Sequence, residues 1–263
     1  MKTRAVFAVV SLAVAALLLL SIVNSKSVEA AGDYPRLACG TDHFAFGGLS
    51  EELAVVRTNG AQVVGGVKIF DIDFPVNGLT PASGLVMSGQ PEDVSSEPGN
   101  TLRVLGDTGP PHILKTIPPG SNSFSSDCCN EQMVQAYDGK FYHAHYSDSI
   151  QQLILQNGES EVVNTFPQSD VVGMASDGVQ IWISKWTEQQ VGTWDPTTNT
   201  FTPVFSTPNY AGGLAWDIPN GVLWVGMTGG AVIPYNASGQ QLGPGFSPFG
   251  SIGDTVDGLA FVP

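Results

Sequence analysis

The chain has 263 residues, with 10 Lys and Arg against 24 Asp and Glu, a formal net charge of −14, and 31 Gly with 18 Pro. So acidic a molecule repels phosphate backbones and anionic lipid headgroups, which argues against nucleic acid or a membrane surface as a partner. Abundant Gly and Pro with few charges favour short strands and tight turns over helices, and the length suffices for one all-β domain.

Lys2 and Arg4 precede an apolar run over residues 5–23 and a polar stretch ending in Val28-Glu29-Ala30-Ala31. This is the pattern of a secretory signal, with cleavage expected after Ala30. The expected organisation is therefore a signal at 1–30 and a single domain at 31–263, secreted to an extracellular or periplasmic space and free of the membrane once cleaved. An uncleaved anchor is the alternative, because the run approaches the ~20 residues a spanning helix needs. Residues 1–30 hold Lys2, Arg4, Lys26 and Glu29, so the mature part keeps 7 Lys and Arg against 23 acidic residues.

The next segment has room for strands near 43–46, 53–58 and 62–70, with an Asn59-Gly60 turn between the last two. It offers no inner strand. Gly78-Leu79-Thr80 followed by Ser83-Gly84-Leu85-Val86-Met87 starts a pattern that returns later, and two loops rich in Pro, Ser, Gly and acidic residues, 90–100 and 118–130, separate it from the next copy. From there the repeat is plain. Gln135-Ala136-Tyr137-Asp138, Met174-Ala175-Ser176-Asp177 and Leu214-Ala215-Trp216-Asp217 recur, and Val256-Asp257-Gly258-Leu259-Ala260-Phe261 opens a fourth copy. The alanines at 136, 175, 215 and 260 step by 39, 40 and 45 residues, the period of one four-stranded propeller blade. After each Asp comes a turn and a strand with an aromatic in the same place: Phe141-Tyr142-His143, Ile181-Trp182-Ile183, Leu223-Trp224-Val225.

The expectation is an all-β β-propeller of about five four-stranded blades, with six as the alternative. Its C-terminal strand would pair with the first strands and close the ring, removing two sheet edges that would otherwise be open. The stretch 213–225, and next 173–183, resembles the blades of NHL, YncE-like and SMP-30/gluconolactonase-like propellers, where a G-L-A-x-D, turn, L-W-V pattern is common. That resemblance implies a blade and no particular activity.

In such a fold, the loops before each inner strand and those joining second to third strands share one face around the channel mouth. Asp127, Cys128, Cys129, Asn130, Glu131, Asp170, Trp186, Tyr210 and Asp254 are expected there, as a pocket for a small molecule, a glycan, an amine or a cation, or as a protein-binding surface. The plain alternative is a solvated acidic rim. Cys128-Cys129 is expected to close as a vicinal disulfide in an oxidising compartment, the competing pairing being one of them with Cys39. His143 and His145 lie two apart on a strand, as metal ligands can. The repeat aligns 143 with Ile183 and Val225, however, and 145 with Lys185 and Met227, which points to packing. Asp138, Asp177 and Asp217 are expected to brace turns at the opposite face.

Three functions follow. The first is a non-catalytic extracellular binding module. The second, implied by the SMP-30-like resemblance, is a calcium-dependent lactonase or esterase with Glu131, Asn130, Asp170 and Asp257 as metal ligands. That family uses six blades and more asparagine. The third is a five-bladed glycosidase, with Asp127 or Glu131 and Asp170 or Asp254 as acid and base. No nucleophile elbow, phosphate loop or zinc motif is present.

Overall fold

The computed structural model describes residues 36–40, 43–44, 48–49, 52–72, 76, 78–81, 85–88, 101–105, 113–124 and 130–262. The expected signal at 1–30, and Asp127, Cys128 and Cys129 with their proposed disulfide, lie outside the described residues. So does the side chain of Asn130.

In chain order the strands are β1 (Arg36–Gly40), a small hairpin of β2 (His43–Phe44) and β3 (Gly48–Leu49), β4 (Glu52–Asn59) and β5 (Gln62–Asp71). β6 (Gly78–Pro81), β7 (Leu85–Ser88), β8 (Leu102–Leu105) and β9 (Ile113–Ile117) form one antiparallel sheet in that order. β10 (Asn130–Gln135), β11 (Phe141–His145), β12 (Ser149–Gln156) and β13 (Glu159–Phe166) form the next. β14 (Val171–Ser176), β15 (Ile181–Lys185), β16 (Gln190–Asp195) and β17 (Thr200–Ser206) follow in the same way. β18 (Ala211–Asp217), a 3-10 turn η1 (Ile218–Asn220), β19 (Val222–Met227) and β20 (Val232–Tyr235) come next, and β21 (Gly258–Val262) ends the chain. The protein is all-β, with several four-stranded antiparallel sheets.

The C-terminal strand returns to the N-terminal sheet, whose order is β21-β1-β4-β5, with Ala260 opposite Ala38 and Ala38 opposite Val55. The 53–58 and 62–70 strands and their Asn59-Gly60 turn are where the sequence put them, but the strand expected near 43–46 is not. Residues 36–40 occupy that place beside β4, while among the described residues His43–Phe44 pairs with Gly48–Leu49. Leu37, Ala38 and Cys39 are all buried, because the strand is covered on both faces. A strand of that kind shows no alternation, the signal by which its neighbours were found.

The sheet of β18, β19 and β20 departs from the four-strand expectation as well. Its fourth position is an irregular stretch that meets β20 through isolated bridges, Tyr235 to Gln241 and Val232 to Phe246. Gly243, Pro244 and Gly245 fall between those bridges, and Pro has no N–H for a ladder.

Neighbouring sheets touch through their inner strands: β6 with β10, β10 with β14, β14 with β18, and β21 with both β18 and β6. The repeated aromatics fill the space between sheets. Tyr142, Trp182 and Trp224 are all buried, with Tyr142 edge-on to Trp194 at 5.4 Å and Trp182 edge-on to Trp216 at 5.3 Å. Each such ring removes on the order of 150–250 Å² from water, so these contacts dominate the core. One loop expected at the channel mouth does other work. Residues 118–124 run beside β13, with Gly120 N–H donating to Ser160 O at 2.8 Å, and bury Phe124 against His143 at 4.4 Å between ring centroids. An apolar ring in a polar loop outweighs the loop's composition.

Candidate functional site

The end at which the inner strands begin is termed the upper end. Asp170 precedes β14, Tyr210 precedes β18, Asp254 precedes β21, and Trp186 follows β15. Backbone hydrogen bonds hook these loops together. Asp170 N–H donates to Tyr146 O (2.7 Å) and Trp186 N–H to Asp170 O (2.9 Å), while Thr228 N–H donates to Tyr210 O (3.1 Å) and Gly229 N–H to Asp254 O (2.9 Å). The Trp186 and Tyr210 rings lie parallel, 4.9 Å apart and 9° from coplanar, and Tyr210 is 41% exposed. Four of the predicted residues are thereby brought into adjoining loops.

Their roles differ from those expected of a cation site. Asp170 sits at φ 66°, and its carboxylate accepts from Thr187 N–H (2.8 Å) and Thr187 Oγ1 (2.7 Å). Asp254 accepts from Thr255 N–H at 2.8 Å. Asp257 is buried at the contact of β21 with β18, its N–H donating to Gly40 O at 3.1 Å, and Glu131 is half-buried in a bulge of β10. Among the described residues no three His, Cys, Asp or Glu side chains are grouped to hold a metal. His143 packs on Phe124, and His145 Nδ1 lies 3.0 Å from both Asp148 Oδ1 and Ser147 Oγ, as packing rather than ligation requires. Cys39 is a buried free thiol in the same apolar cluster as Trp224, and burial pushes its pKa far up, which keeps it protonated.

The residue the sequence reading missed is Gln132. Its two Nε2 hydrogens are shared among the carbonyls of Leu214 (2.7 Å), Leu259 (2.6 Å) and Leu79 (3.1 Å), and its Oε1 accepts from Leu214 N–H (2.6 Å) and Met174 N–H (3.3 Å). One amide on β10 thus reaches β6, β14, β18 and β21, which places it where these strands come together. The expected register hid it. The sequence aligns Ala136 with Ala175 and Ala215, but the structure pairs Val134 with Tyr142 as it pairs Ala175 with Trp182 and Ala215 with Trp224, so this copy is shifted by two residues. With Met133 thereby equivalent to Met174 and Leu214, the preceding residue is Gly173 and Gly213 in those strands, Gly78 and Gly258 before Leu79 and Leu259, and Gln132 here. Four glycines leave a space that one side chain fills.

Below Gln132 lies a cavity of about 280 Å³, walled by the later halves of the inner strands. Leu79, Val134, Met174, Leu214, Leu259 and Phe261 give it an apolar character, and among the described residues no ionisable side chain lines it. Nor does any predicted site residue among those described. At this lower end the repeated aspartates brace turns, as expected. Asp177 accepts from Val179 N–H (2.8 Å), Gln180 N–H (2.7 Å) and Trp182 Nε1 (2.8 Å). Asp217 caps η1 by accepting from Asn220 N–H at 3.2 Å, and burial pushes its carboxyl above the ordinary range against the pull of Asn220.

No family profile matches the sequence, and no curated protein does. Solved structures do share the fold. The chain resembles a component of a nidogen/laminin complex at TM-score 0.53 and 11% identity, covering 87% of this chain and 98% of that one. It also resembles a protein of unknown function from Bacteroides caccae at TM-score 0.52 and 9% identity, over 88% and 99% of the two chains. A streptogramin B lyase matches less well, at TM-score 0.40 and 13% identity over 73% of this chain and 61% of that one. At such identities the likeness is one of fold, and the fold is that of β-propeller repeat proteins.

Proposed function

We propose that this chain is an exported, non-catalytic propeller of five blades, closed by β21, which binds its ligand at the upper end. The stacked Trp186 and Tyr210 carry the reading. A parallel, part-exposed aromatic pair offers a flat apolar face of the kind that takes a sugar ring, and the hooked loops around it hold that face rigid. Closure by β21 is supported by its pairing with β1 and its contacts with β18 and β6. Export is supported by the basic, apolar, small-residue order of the first thirty residues. Catalysis at the upper end has less support, because the carboxylate of Asp170 is engaged by Thr187 and that of Asp254 by the adjacent amide.

Screening the secreted domain on a glycan array, beside a Trp186→Ala variant, tests this. The expected result is retention of one glycan class by the native protein and its loss in the variant. Equal retention by both would remove the upper-end reading.

A further inference from the structure

The turn that follows β20 carries a motif which binding at the upper end leaves unused. We propose that Asn236 is a modification site, its side-chain amide taking an N-linked glycan as the chain is exported. This rests on the export part of the preceding reading and on nothing else in it.

Asn236-Ala237-Ser238 is an Asn-X-Ser acceptor with a small residue, and not Pro, at its centre. No other asparagine of the chain has Ser or Thr two positions further on. Asn164 and Asn199 each precede a Thr directly and are followed by Phe166 and Phe201, so turns rich in Asn and Thr do not produce the motif by themselves.

The fold presents the motif rather than hiding it. Residues 236–240 close a turn in which Asn236 N–H donates to Gln240 O at 2.9 Å and Gly239 N–H to Asn236 O at 3.0 Å. Gly239 supplies a left-handed φ of +80° and sits so close to the neighbouring sheet that an added Cβ would lie 2.3 Å from Phe205 Cβ. The turn is therefore seated firmly, while Ala237, Ser238 and Gln240 are exposed.

Within the Asn236 amide the two atoms have different duties. Oδ1 holds the turn, accepting from Ser238 N–H (3.0 Å), Ser238 Oγ (2.8 Å) and Gln240 N–H (2.9 Å). Among the described residues Nδ2 donates to Gln240 Oε1 alone, at 3.3 Å and on the exposed surface. An amide nitrogen carries two hydrogens, so replacing one by a sugar leaves every Oδ1 bond of the turn in place. The step is a group transfer without oxidation or reduction. Nδ2 bonds to the anomeric carbon of a lipid-pyrophosphate-linked oligosaccharide, the bond from that carbon to the pyrophosphate oxygen breaks, and Nδ2 gives up one proton as the lipid pyrophosphate leaves.

The position suits a bulky, solubilising group. β20 runs from Val232, opposite Gly226, to Tyr235, opposite Leu223, which puts Asn236 at the lower end. Ala211, next to Tyr210, pairs with Met227 at the other end of the same sheet, so a glycan on Asn236 leaves the upper loops open.

The test is glycopeptide mapping of the full chain recovered from outside its own cells, with and without peptide N-glycosidase. One glycan is expected, on Asn236, with a gel shift that the enzyme abolishes. Asn236→Gln and Ser238→Ala should each lose that shift, and Ser238→Thr should keep it. An exported chain whose Asn236 peptide carries no sugar overturns the proposal and leaves export standing, whereas a chain retained inside the cell overturns both. A shift that survives Ser238→Ala also overturns it, because the sugar then sits elsewhere. Mapping of the native peptide decides alone should a variant not fold, and no arm touches Trp186 or Tyr210.

Discussion

The two ends of the inner strands are built from one repeat and solve different problems. At the upper end the strands crowd: a Cβ on Gly213 would lie 2.3 Å from Asp257 O, and one on Gly173 would lie 2.2 Å from Gly212 O. Glycine is needed there for closeness. At the lower end the turns after the strands need a left-handed backbone, as at Gly178 with φ +89°, where the nearest side-chain atom is 3.7 Å from an added Cβ. The crowded end excludes everything but Gln132 from the centre, whereas the wider end leaves a cavity.

Removing the residue that separates the two ends should have the largest effect. In Gln132→Leu the side chain keeps its bulk, but three carbonyls and two amides lose their partner in a buried place. With 1–3 kcal/mol for each stranded group and partial relaxation, the loss should be on the order of 3–5 kcal/mol, read as a fall in the urea midpoint. A change below about 1 kcal/mol would mean that the amide is incidental and that the ends are not separated by it.

The glycine contrast comes next. Gly213→Ala should cost about 1–3 kcal/mol, because the added methyl meets the backbone of Asp257, which leads into β21 and cannot step aside alone. Gly178→Ala should cost about 1 kcal/mol from its left-handed φ, with no clash. Gly66→Ala, which meets nothing within 4 Å and has no left-handed φ to hold, should lie within about 0.5 kcal/mol of the native protein. Thermal melts of the three variants rank them, and an inverted order would break the contrast.

What the sequence disclosed follows the same division. Strands at a 40-residue step, the turn-bracing aspartates and the packing role of His143 were legible because each repeats, and repetition exposes what a blade needs. Arg36–Gly40 was hidden because burial on both faces erases alternation. Phe124 was hidden because a single apolar ring in a Pro, Ser and Gly loop leaves no periodic trace. Loop placement gave Asp170, Trp186, Tyr210 and Asp254 a common end, but not the engagement of Asp170 by Thr187, which depends on a left-handed φ that only coordinates reveal. Gln132 and the cavity were missed for a different reason. Aligning Ala136 with Ala175 and Ala215 put β10 two residues out of register, which set Val134 rather than Gln132 opposite the glycines.

At the upper surface the stability effect should shrink while the functional effect does not. Trp186→Ala gives up one stacked pair, worth about 0.5–1.5 kcal/mol, so the domain should still melt cooperatively and only slightly earlier. A collapse of the fold in this variant would show that the aromatic pair is structural and would undo the assignment of binding to the upper loops.

The effect at Lys185 is small at neutral pH, and its pH dependence has a sign that can be worked out. Its position is Met227 in the next copy and His145 in the previous one, so three chemistries occupy one site. The Lys185 ammonium donates to Ser169 O, and burial lowers its pKa from the ordinary 10.5, against the opposing pull of Glu188 and Asp170. A base with a depressed folded pKa binds fewer protons folded than unfolded. The folded state therefore carries a penalty that is complete below the depressed value and vanishes as pH rises toward 10.5. Tyr142 and Tyr235, whose phenols burial pushes up, act in the opposite direction near their own titration, so the informative quantity is the difference between native and variant melts. In Lys185→Met, stability at neutral pH should change by no more than about 1 kcal/mol, with lost hydrogen bond and relieved burial offsetting each other. The stability gap between variant and native protein should then shift toward the native protein as pH climbs from neutral into the lysine range. A gap that stays constant with pH would show that the ammonium reaches water, and that this blade is no drier at its upper end than at its lower.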